Sequence, residues 1–349
     1  MKRPHSLIDD LEAADSESAV AMATLISATG SSSKKIGARM LVGRSGRLLG
    51  GVTIGGCVDA QVIEAADALL GSGDRRLLAI SLDDDEAWEI GLTCGGTVEV
   101  MLDRIAPRND DDPLVAAHAV VRDVLARDES AVVVTTLDGP AAALVLTEDG
   151  VCRGTLGSDE SDVIAAEIAS QVAREGSRVD TIAGRRYFFE RHAPPTTLVI
   201  IGAGQIAMTL TKLARELEMR SIVIDGRDRY ATEERFPSAD EIRVGMPSEI
   251  VASIPATRRV AVVLVAHDYK YDVPVLRHYL RAPVGYIGLL GSRKRGAAVR
   301  DLLREEGFTD DELARVHTPI GLEIGGRSSP EVALSILAEI VAVRNGKRA

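Results

Sequence analysis

Short apolar runs alternate with amphipathic segments along residues 195–349. Thr197–Ile201 is almost entirely apolar, as in a strand buried on both faces of a parallel sheet, and Gln205–Glu218 has the apolar spacing of a helix. The same pattern predicts strands at Ser221–Asp225, Arg259–Ala266 and Val284–Leu290, and helices at Val273–Leu280, Arg295–Glu306 and Pro330–Asn345. This alternation indicates an α/β fold with a parallel sheet.

The preceding residues form two blocks, 1–107 and 108–194, divided by the charged turn Arg108–Pro113. The first block is predicted to contain helices at Ser6–Ser16 and Asp59–Leu70 and strands at Ala19–Ala28, Arg39–Val42, Leu48–Ile54, Leu77–Leu82 and Thr97–Asp103. The second is predicted to contain helices at Leu114–Ala126 and Asp162–Glu175 and strands at Ala131–Leu137 and Ala141–Thr147. We expect this N-terminal α/β region to have mixed sheets.

The two blocks show a weak internal similarity. The corresponding stretches are Leu41–Gly46 with Leu144–Gly150, and Gly51–Gly55 with Gly154–Gly157. The similarity favours two similar halves, with the second a degenerate repeat of the first. In this alignment Gly55-Gly-Cys57 corresponds to Gly157-Ser-Asp159, so the second half would lack the thiol.

Composition excludes several classes of partner. The 349-residue chain has a net charge of −11 and only 3% aromatic residues, which disfavours binding to nucleic-acid phosphates and stacking on bases. No apolar run approaches the ~20 residues of a membrane helix, and acidic residues from Asp9 onward argue against a signal peptide. The three cysteines do not suggest a disulfide scaffold. We therefore expect a cytoplasmic protein with reduced thiols and no nucleic-acid or membrane partner.

A glycine-containing turn follows the strand at Thr197–Ile201. Gly202 permits the tight turn, Gly204 lets a phosphate approach the backbone, and Ala207 allows the helix to pack closely on the sheet. The helix begins at Gln205, where free N–H groups favour an anion. The pattern predicts a C-terminal Rossmann domain, residues 195–349, with a dinucleotide or phosphate site. A Rossmann fold without a ligand is the alternative.

Asp225 ends the next predicted strand, about twenty residues after the glycines, where an acid can bind a ribose hydroxyl. Arg227 leaves open a phosphate-bearing ligand in place of plain NAD. A second strand-to-helix turn, Gly291-Ser292-Arg293, has a basic end and is predicted to bind an anion at the same edge of the sheet. A simple connecting loop is the alternative there.

Two cysteines lie in glycine turns, in the stretches Gly55-Gly56-Cys57 and Cys94-Gly95-Gly96. Glycine neighbours let a ligand approach and leave the sulfur accessible. Cys57 also precedes the helix predicted from Asp59, whose positive end favours the thiolate. Such thiols suit metal ligation, sulfur handling or nucleophilic attack, and a small buried cysteine is the structural alternative. Glu99, on a predicted strand, would either orient a ligand or face solvent.

Together these motifs resemble the XdhC/CoxI family, the accessory proteins of molybdenum hydroxylases such as xanthine dehydrogenase. The resemblance covers nearly the whole chain and rests on Ala28-Thr-Gly30-Ser, Gly37-Ala-Arg-Met-Leu41, Gly55-Gly-Cys57-Val, Cys94-Gly-Gly96-Thr-Val-Glu99, Gly202-Ala-Gly204, His267-Asp268, Tyr286–Arg293, Pro319-Ile-Gly321-Leu and Ser335–Ala342. It implies a protein that binds molybdenum cofactor, as molybdopterin or its cytosine dinucleotide form. The family protects the cofactor while its terminal sulfur ligand is installed and delivers it to an apo molybdenum hydroxylase.

The resemblance further implies work with a cysteine desulfurase, a homodimer, and a maturation chaperone more than an enzyme. Cys57 and Cys94 would contact molybdenum or relay sulfur, and Gly202, Gly204 and Asp225 would hold the phosphate or nucleotide part. An NAD(P)-dependent oxidoreductase, supported by the Rossmann motif, and a nucleotide-sensing scaffold are the alternatives.

Two positions depart from the family pattern. Ser31-Ser-Ser-Lys34-Lys35 stands where the family usually has Pro and Arg, and Asp59 stands where it often has Glu. Lysine lacks the bidentate fork of arginine, so anion recognition near Lys34 is expected to differ.

Overall fold

The computed structural model describes residues 19–29, 36–51, 56–73, 75–82 and 96–347. The chain divides into two compact units, residues 1–194 and 195–349. The helix predicted at Ser6–Ser16 lies outside the described residues. None of the described helices is long and apolar enough to cross a membrane.

The described part of the N-terminal unit contains two five-stranded sheets. The first contains β1 (Val20–Ala28), β2 (Arg39–Val42), β3 (Leu48–Gly51), β4 (Arg76–Leu82) and β5 (Gly96–Ile105). The second contains β6 (Ala131–Thr136), β7 (Ala143–Thr147), β8 (Cys152–Thr155), β9 (Arg178–Ile182) and β10 (Arg185–His192). All neighbouring strands in both are antiparallel. The expectation of mixed sheets was wrong. Four connections, β2–β3, β6–β7, β7–β8 and β9–β10, are too short for the crossover that parallel neighbours need.

One helix packs on a face of each sheet, namely α1 (Gly56–Ser72) on the first and α3 (Asp159–Glu175) on the second. Apolar residues on the opposite faces of the two sheets form a common core with α2 (Pro113–Ala126). Asp112 caps α2 by accepting a hydrogen bond from the backbone N–H of Leu114 at 2.9 Å.

The two sheets have the same strand order, β3-β2-β1-β5-β4 and β8-β7-β6-β10-β9. Gly51 and Gly154 occupy the same position in them, with φ of +86° and +84°. A Cβ at either would collide with a carbonyl oxygen of the neighbouring strand. Strand pairing aligns Met40 with Leu144, one residue from the alignment expected by sequence. A one-residue shift reverses which side chains face the core. The alignment given by strand pairing is therefore the one we use to match residues of the two sheets.

Three strands of the second sheet, β8, β9 and β10, were not predicted. Charged residues interrupt their apolar pattern. In β10 the buried run is Tyr187, Phe188 and Phe189, followed by the buried carboxylate of Glu190. A charge inside a core strand obscures the alternation on which strand prediction depends.

The C-terminal unit contains a six-stranded parallel sheet among its described residues. Its strands are β11 (Thr197–Ile201), β12 (Arg220–Asp225), β13 (Glu241–Val244), β14 (Val260–Leu264), β15 (Tyr286–Leu289) and β16 (Val316–His317). The order β13-β12-β11-β14-β15-β16 is that of a Rossmann fold, which confirms the predicted fold class. β13 and β16 were not predicted, because they are short strands at the two edges of the sheet.

Helices cover both faces of this sheet. α4 (Gln205–Glu216) and α9 (Ser329–Arg344) pack on one face, and the other face packs against α5 (Pro247–Ile250), α6 (Tyr269–Leu280), α7 (Arg293–Glu305) and α8 (Asp310–Ala314). The strand order reverses between β11 and β14. The loops that follow these two strands therefore run to opposite faces and leave a crevice at the carboxyl edge.

Candidate functional site

The turn predicted to bind phosphate borders this crevice. Gly202 follows β11 with φ of +107°, a left-handed conformation that favours glycine. A Cβ at residue 202 would lie 2.7 Å from both the backbone nitrogen and the Cα of Ala266, just beyond the end of β14. The close approach of these two segments therefore requires glycine.

Gly204 and Gln205 form the start of α4. No described atom lies within 4 Å of a Cβ placed at Gly204, and Gln205 is exposed. The first turn of α4 carries no acidic residue, while Ala207 is fully buried against the sheet. Open space beside free N–H groups at a helix start suits a phosphate.

Asp225 ends β12 next to this turn, and its side chain is fully buried. Its Oδ2 accepts a hydrogen bond from the backbone N–H of Ala203 at 2.7 Å. Arg227 donates from Nε to Oδ1 at 2.9 Å and from Nη2 to Oδ2 at 2.7 Å. Burial alone would raise the pKa of Asp225, but these hydrogen bonds outweigh it and lower the pKa. The predicted contact of Asp225 with a ribose would require this ion pair to open.

The second predicted anion loop, before α7, is built differently. Ser292 caps α7 by accepting a hydrogen bond from the backbone N–H of Arg295 at 3.2 Å. A Cβ at Gly291 would lie 2.6 Å from Cδ of Arg295, whose guanidinium pairs with the buried Asp272 at 2.7 Å. Burial raises the pKa of Asp272 to about 6, although Arg295 opposes the shift. Gly291 is thus covered by a side chain, while Arg293 is exposed.

The predicted thiol site is described only at its edges. Three of its residues lie outside the described residues: Gly55, Cys94 and Gly95. Gly56 and Cys57 are the first two residues of α1, and Gly96 begins β5. Because α1 begins earlier than the predicted start at Asp59, Cys57 lies in the first helical turn. Among the described residues, no group of three or more His, Cys, Asp or Glu side chains could hold a metal.

Ion pairs connect the two sheets of the N-terminal unit. Arg39 donates to both carboxylate oxygens of the buried Glu190, at 2.7 and 2.5 Å. Glu99 neither points freely into solvent nor stands ready for a ligand: it accepts from both terminal nitrogens of Arg186, at 3.0 and 2.7 Å. Sequence reasoning missed this role, because the partner lies 87 residues away.

Two family models match the chain. The model described as the XdhC and CoxI family matches residues 13–81, and the XdhC Rossmann domain matches residues 198–340. Together they span more than half of its length. The chain belongs to the XdhC and CoxI family. The second match includes the crevice and both turns described above.

Similar proteins align with this XdhC-family chain over nearly its full length. A Bacillus subtilis protein, named as a probable subunit of xanthine dehydrogenase, is 28% identical over 342 residues, covering 97% of each chain. The Escherichia coli molybdenum cofactor insertion chaperone PaoD is 26% identical over 335 residues, covering 96% of this chain and 86% of PaoD. A crystal structure from Bacillus halodurans, described as a xanthine dehydrogenase, has a TM-score of 0.79 at 26% identity and covers 99% of this chain and 97% of that one. The family predicted from the sequence is confirmed.

A buried polar cluster in the XdhC Rossmann unit was not predicted as a unit. Glu339 of α9 accepts hydrogen bonds from the hydroxyl of Tyr286 and, at 2.8 Å, from the backbone N–H of Gly321. Nδ1 of His317 lies 3.2 Å from Glu339, and its ring stacks on Tyr286. Burial raises the pKa of Tyr286, and the nearby Glu339 adds to the shift. A glutamate within the apolar pattern of the last helix was the available signal, and the cluster fastens that helix to β15 and β16.

Proposed function

We propose that this chain is a molybdenum cofactor chaperone. It binds the cofactor, protects it while the terminal sulfur ligand is installed, and delivers it to an apo molybdenum hydroxylase of the xanthine dehydrogenase type. The observation that carries the proposal is the glycine turn after β11, with open space beside Gly204 at the start of α4, in an XdhC-family chain similar to a molybdenum cofactor insertion chaperone.

The residues present fit the anionic part of such a cofactor. Gly204 leaves room beside the start of α4, whose N–H groups and positive dipole end favour a phosphate. Gln205 is the first exposed side chain there, and the exposed Arg293 provides a second positive charge at the carboxyl edge of the sheet. The chemistry that the bound cofactor would supply is that of a molybdenum atom with a terminal sulfur ligand.

The two thiols of the N-terminal unit are a second group of candidate residues. Cys57 lies in the first turn of α1, where the helix dipole favours a thiolate, and glycines flank both Cys57 and Cys94. We propose that these two sulfurs contact molybdenum or relay sulfur. We propose a cysteine desulfurase as the sulfur source and a homodimer as the working form. The location would be the cytoplasm, where thiols stay reduced.

The test is the molybdenum and pterin content of the protein, purified without oxygen from cells supplied with molybdate. We expect near-stoichiometric cofactor in the unmodified chain and at least about a tenfold loss in the Cys57→Ala/Cys94→Ala double variant, since metal–thiolate contacts contribute strongly to affinity. Cys152→Ala is the matched control. This cysteine lies on the exposed strand β8, and partial desolvation together with the charge of Asp162 raises the pKa of its thiol.

Retention of cofactor by the double variant would remove the thiols from the proposal. Absence of molybdenum from the unmodified chain, with NAD(P) copurifying, would instead favour the oxidoreductase or nucleotide-sensing alternative.

A further inference from the structure

The carboxylate of Asp225 has no acceptor position left for a ligand. A carboxylate offers about four lone-pair positions. Oδ1 accepts from the backbone N–H and the Nε of Arg227, both at 2.9 Å, and Oδ2 accepts from Ala203 and from Nη2 of Arg227, both at 2.7 Å. With its side chain fully buried, Asp225 cannot receive the hydroxyls of a ribose while Arg227 stays in place.

Arg227 is held in one orientation, in which part of its guanidinium group is exposed to solvent. Asp225 engages the edge formed by Nε and Nη2, and the guanidinium carbon lies 4.1 Å from the ring centroid of Tyr230. The side chain is still 49% exposed, and no described residue accepts a hydrogen bond from Nη1. A planar guanidinium can bind one anion on each of two edges, so its Nη1 edge is available to a second anion.

Further positive charge lies beside Tyr230. The guanidinium carbon of Arg235 is 5.2 Å from the same ring, and its Nη1 donates to the backbone oxygen of Tyr230 at 2.6 Å. Among the described residues, no carboxylate pairs with Arg235. This edge of the crevice therefore offers oriented cations and hydrogen-bond donors, where a ribose site offers an acceptor.

We propose that Arg227 binds a phosphate monoester at this edge of the nucleotide site, with Asp225 and Tyr230 as its positioning residues. The site then selects a ligand that ends in a phosphate monoester over one that presents a free ribose diol. The inference rests on the proposed function for the location of the ligand. The terminal phosphate of molybdopterin and the 2′-phosphate of NADP share this chemistry. NADP would place its pyrophosphate at the start of α4 and its 2′-phosphate at Arg227, whereas molybdopterin, with one phosphate, would occupy one of these two positions.

The first test uses NADPH and NADH, which differ by that one phosphate, in equilibrium binding to the full chain. We expect the unmodified protein to bind NADPH about tenfold or more tightly, the effect of one charge-assisted bidentate contact. Arg227→Ala should bring the ratio of the two affinities to about one. NADPH should bind more weakly without the arginine, and NADH more tightly, because Asp225 is then free to accept a hydrogen bond from the ribose. Arg227→Lys should fall between them, and Arg229→Ala, which removes an exposed arginine of the same loop, should keep the ratio.

A second arm identifies the form of pterin bound to the unmodified and Arg227→Ala proteins by mass spectrometry. We expect molybdopterin, which ends in a phosphate monoester, in the first and a larger share of the cytosine dinucleotide form in the second. Equal affinities for NADPH and NADH in the unmodified chain, no binding of either, or a ratio that Arg227→Ala leaves unchanged would each overturn the inference. An NADPH preference in protein that never acquires molybdenum would uphold the inference while the proposed function fails.

Discussion

Gly202 and Gly204, in the turn between β11 and α4, differ in what limits substitution at each position. Gly202 is set by conformation and by the backbone at Ala266, which leaves no space for a side chain. Gly204 has an extended backbone, with φ of −86° and ψ of −173°, and open space beside it. The fold therefore requires the first glycine, whereas the second leaves open space at the start of α4.

We expect Gly202→Ala to lower the free energy of unfolding by about 2–4 kcal/mol, because it combines a left-handed backbone with a backbone collision. Gly204→Ala should change it by less than about 0.5 kcal/mol but weaken NADPH or cofactor binding by filling the ligand space. Denaturant unfolding and ligand titration of both variants separate the two effects. Equal losses of stability would contradict this division.

A buried histidine is expected to make the N-terminal unit sensitive to acid. His118 on α2 lies within the core, and burial, with help from Arg39, lowers its pKa to about 3. Below its ordinary pKa of 6.5 the unfolded chain binds a proton that the folded chain does not, so stability falls as the pH falls.

We expect the free energy of unfolding to drop by about 2–3 kcal/mol more between pH 6.5 and 4.5 in the unmodified chain than in His118→Gln. Urea unfolding at several pH values measures this difference. His278→Gln, at an exposed histidine, controls for the substitution itself. An unchanged pH slope in His118→Gln would show that other groups cause the acid sensitivity.

At the scale of elements, the two sheets support descent from one repeated unit. We propose that residues 108–194 are a diverged copy of residues 1–107, since strand order and the glycines at 51 and 154 correspond. By strand register, Asp103 corresponds to Glu190, and Glu99 corresponds to Arg186. Each buried carboxylate has an arginine partner, Arg75 or Arg39. Glu99 and Arg186 thus carry opposite charges at equivalent positions. This difference favours packing of the first sheet against the second over packing of either sheet against a copy of itself.

Exchanging that pair tests this pairing. We expect Glu99→Arg or Arg186→Glu alone to lower the free energy of unfolding by about 1–2 kcal/mol, because like charges then face each other at a partly exposed site. The double exchange should recover all but about 0.5 kcal/mol, since the ion pair is restored in reverse. A double-mutant cycle provides the measurement. If the double variant is as unstable as the sum of the two single variants, the charges do not interact.

At the scale of the whole molecule, charge is distributed unevenly with respect to the candidate sites. The chain has a net charge of −11, yet the carboxyl edge of the Rossmann sheet presents Arg227, Arg293 and Lys294. Such a local cluster attracts a small anion over a short range, while the overall charge repels extended polyanions. The two family matches lie at residues 13–81 and 198–340, so the second half of the N-terminal unit lies between the matched regions.

The sequence by itself determined the family, the Rossmann fold and the position of the glycine turn after β11, because glycine conformation, helix starts and apolar runs are local properties of the chain. Only the tertiary structure decided which side chains meet. It showed that Asp225 is occupied by Arg227, that Arg295 covers Gly291, that Glu99 pairs with Arg186, and that the N-terminal sheets are antiparallel. These features depend on contacts between distant residues, and the spacing of residues along the chain carries no record of such contacts.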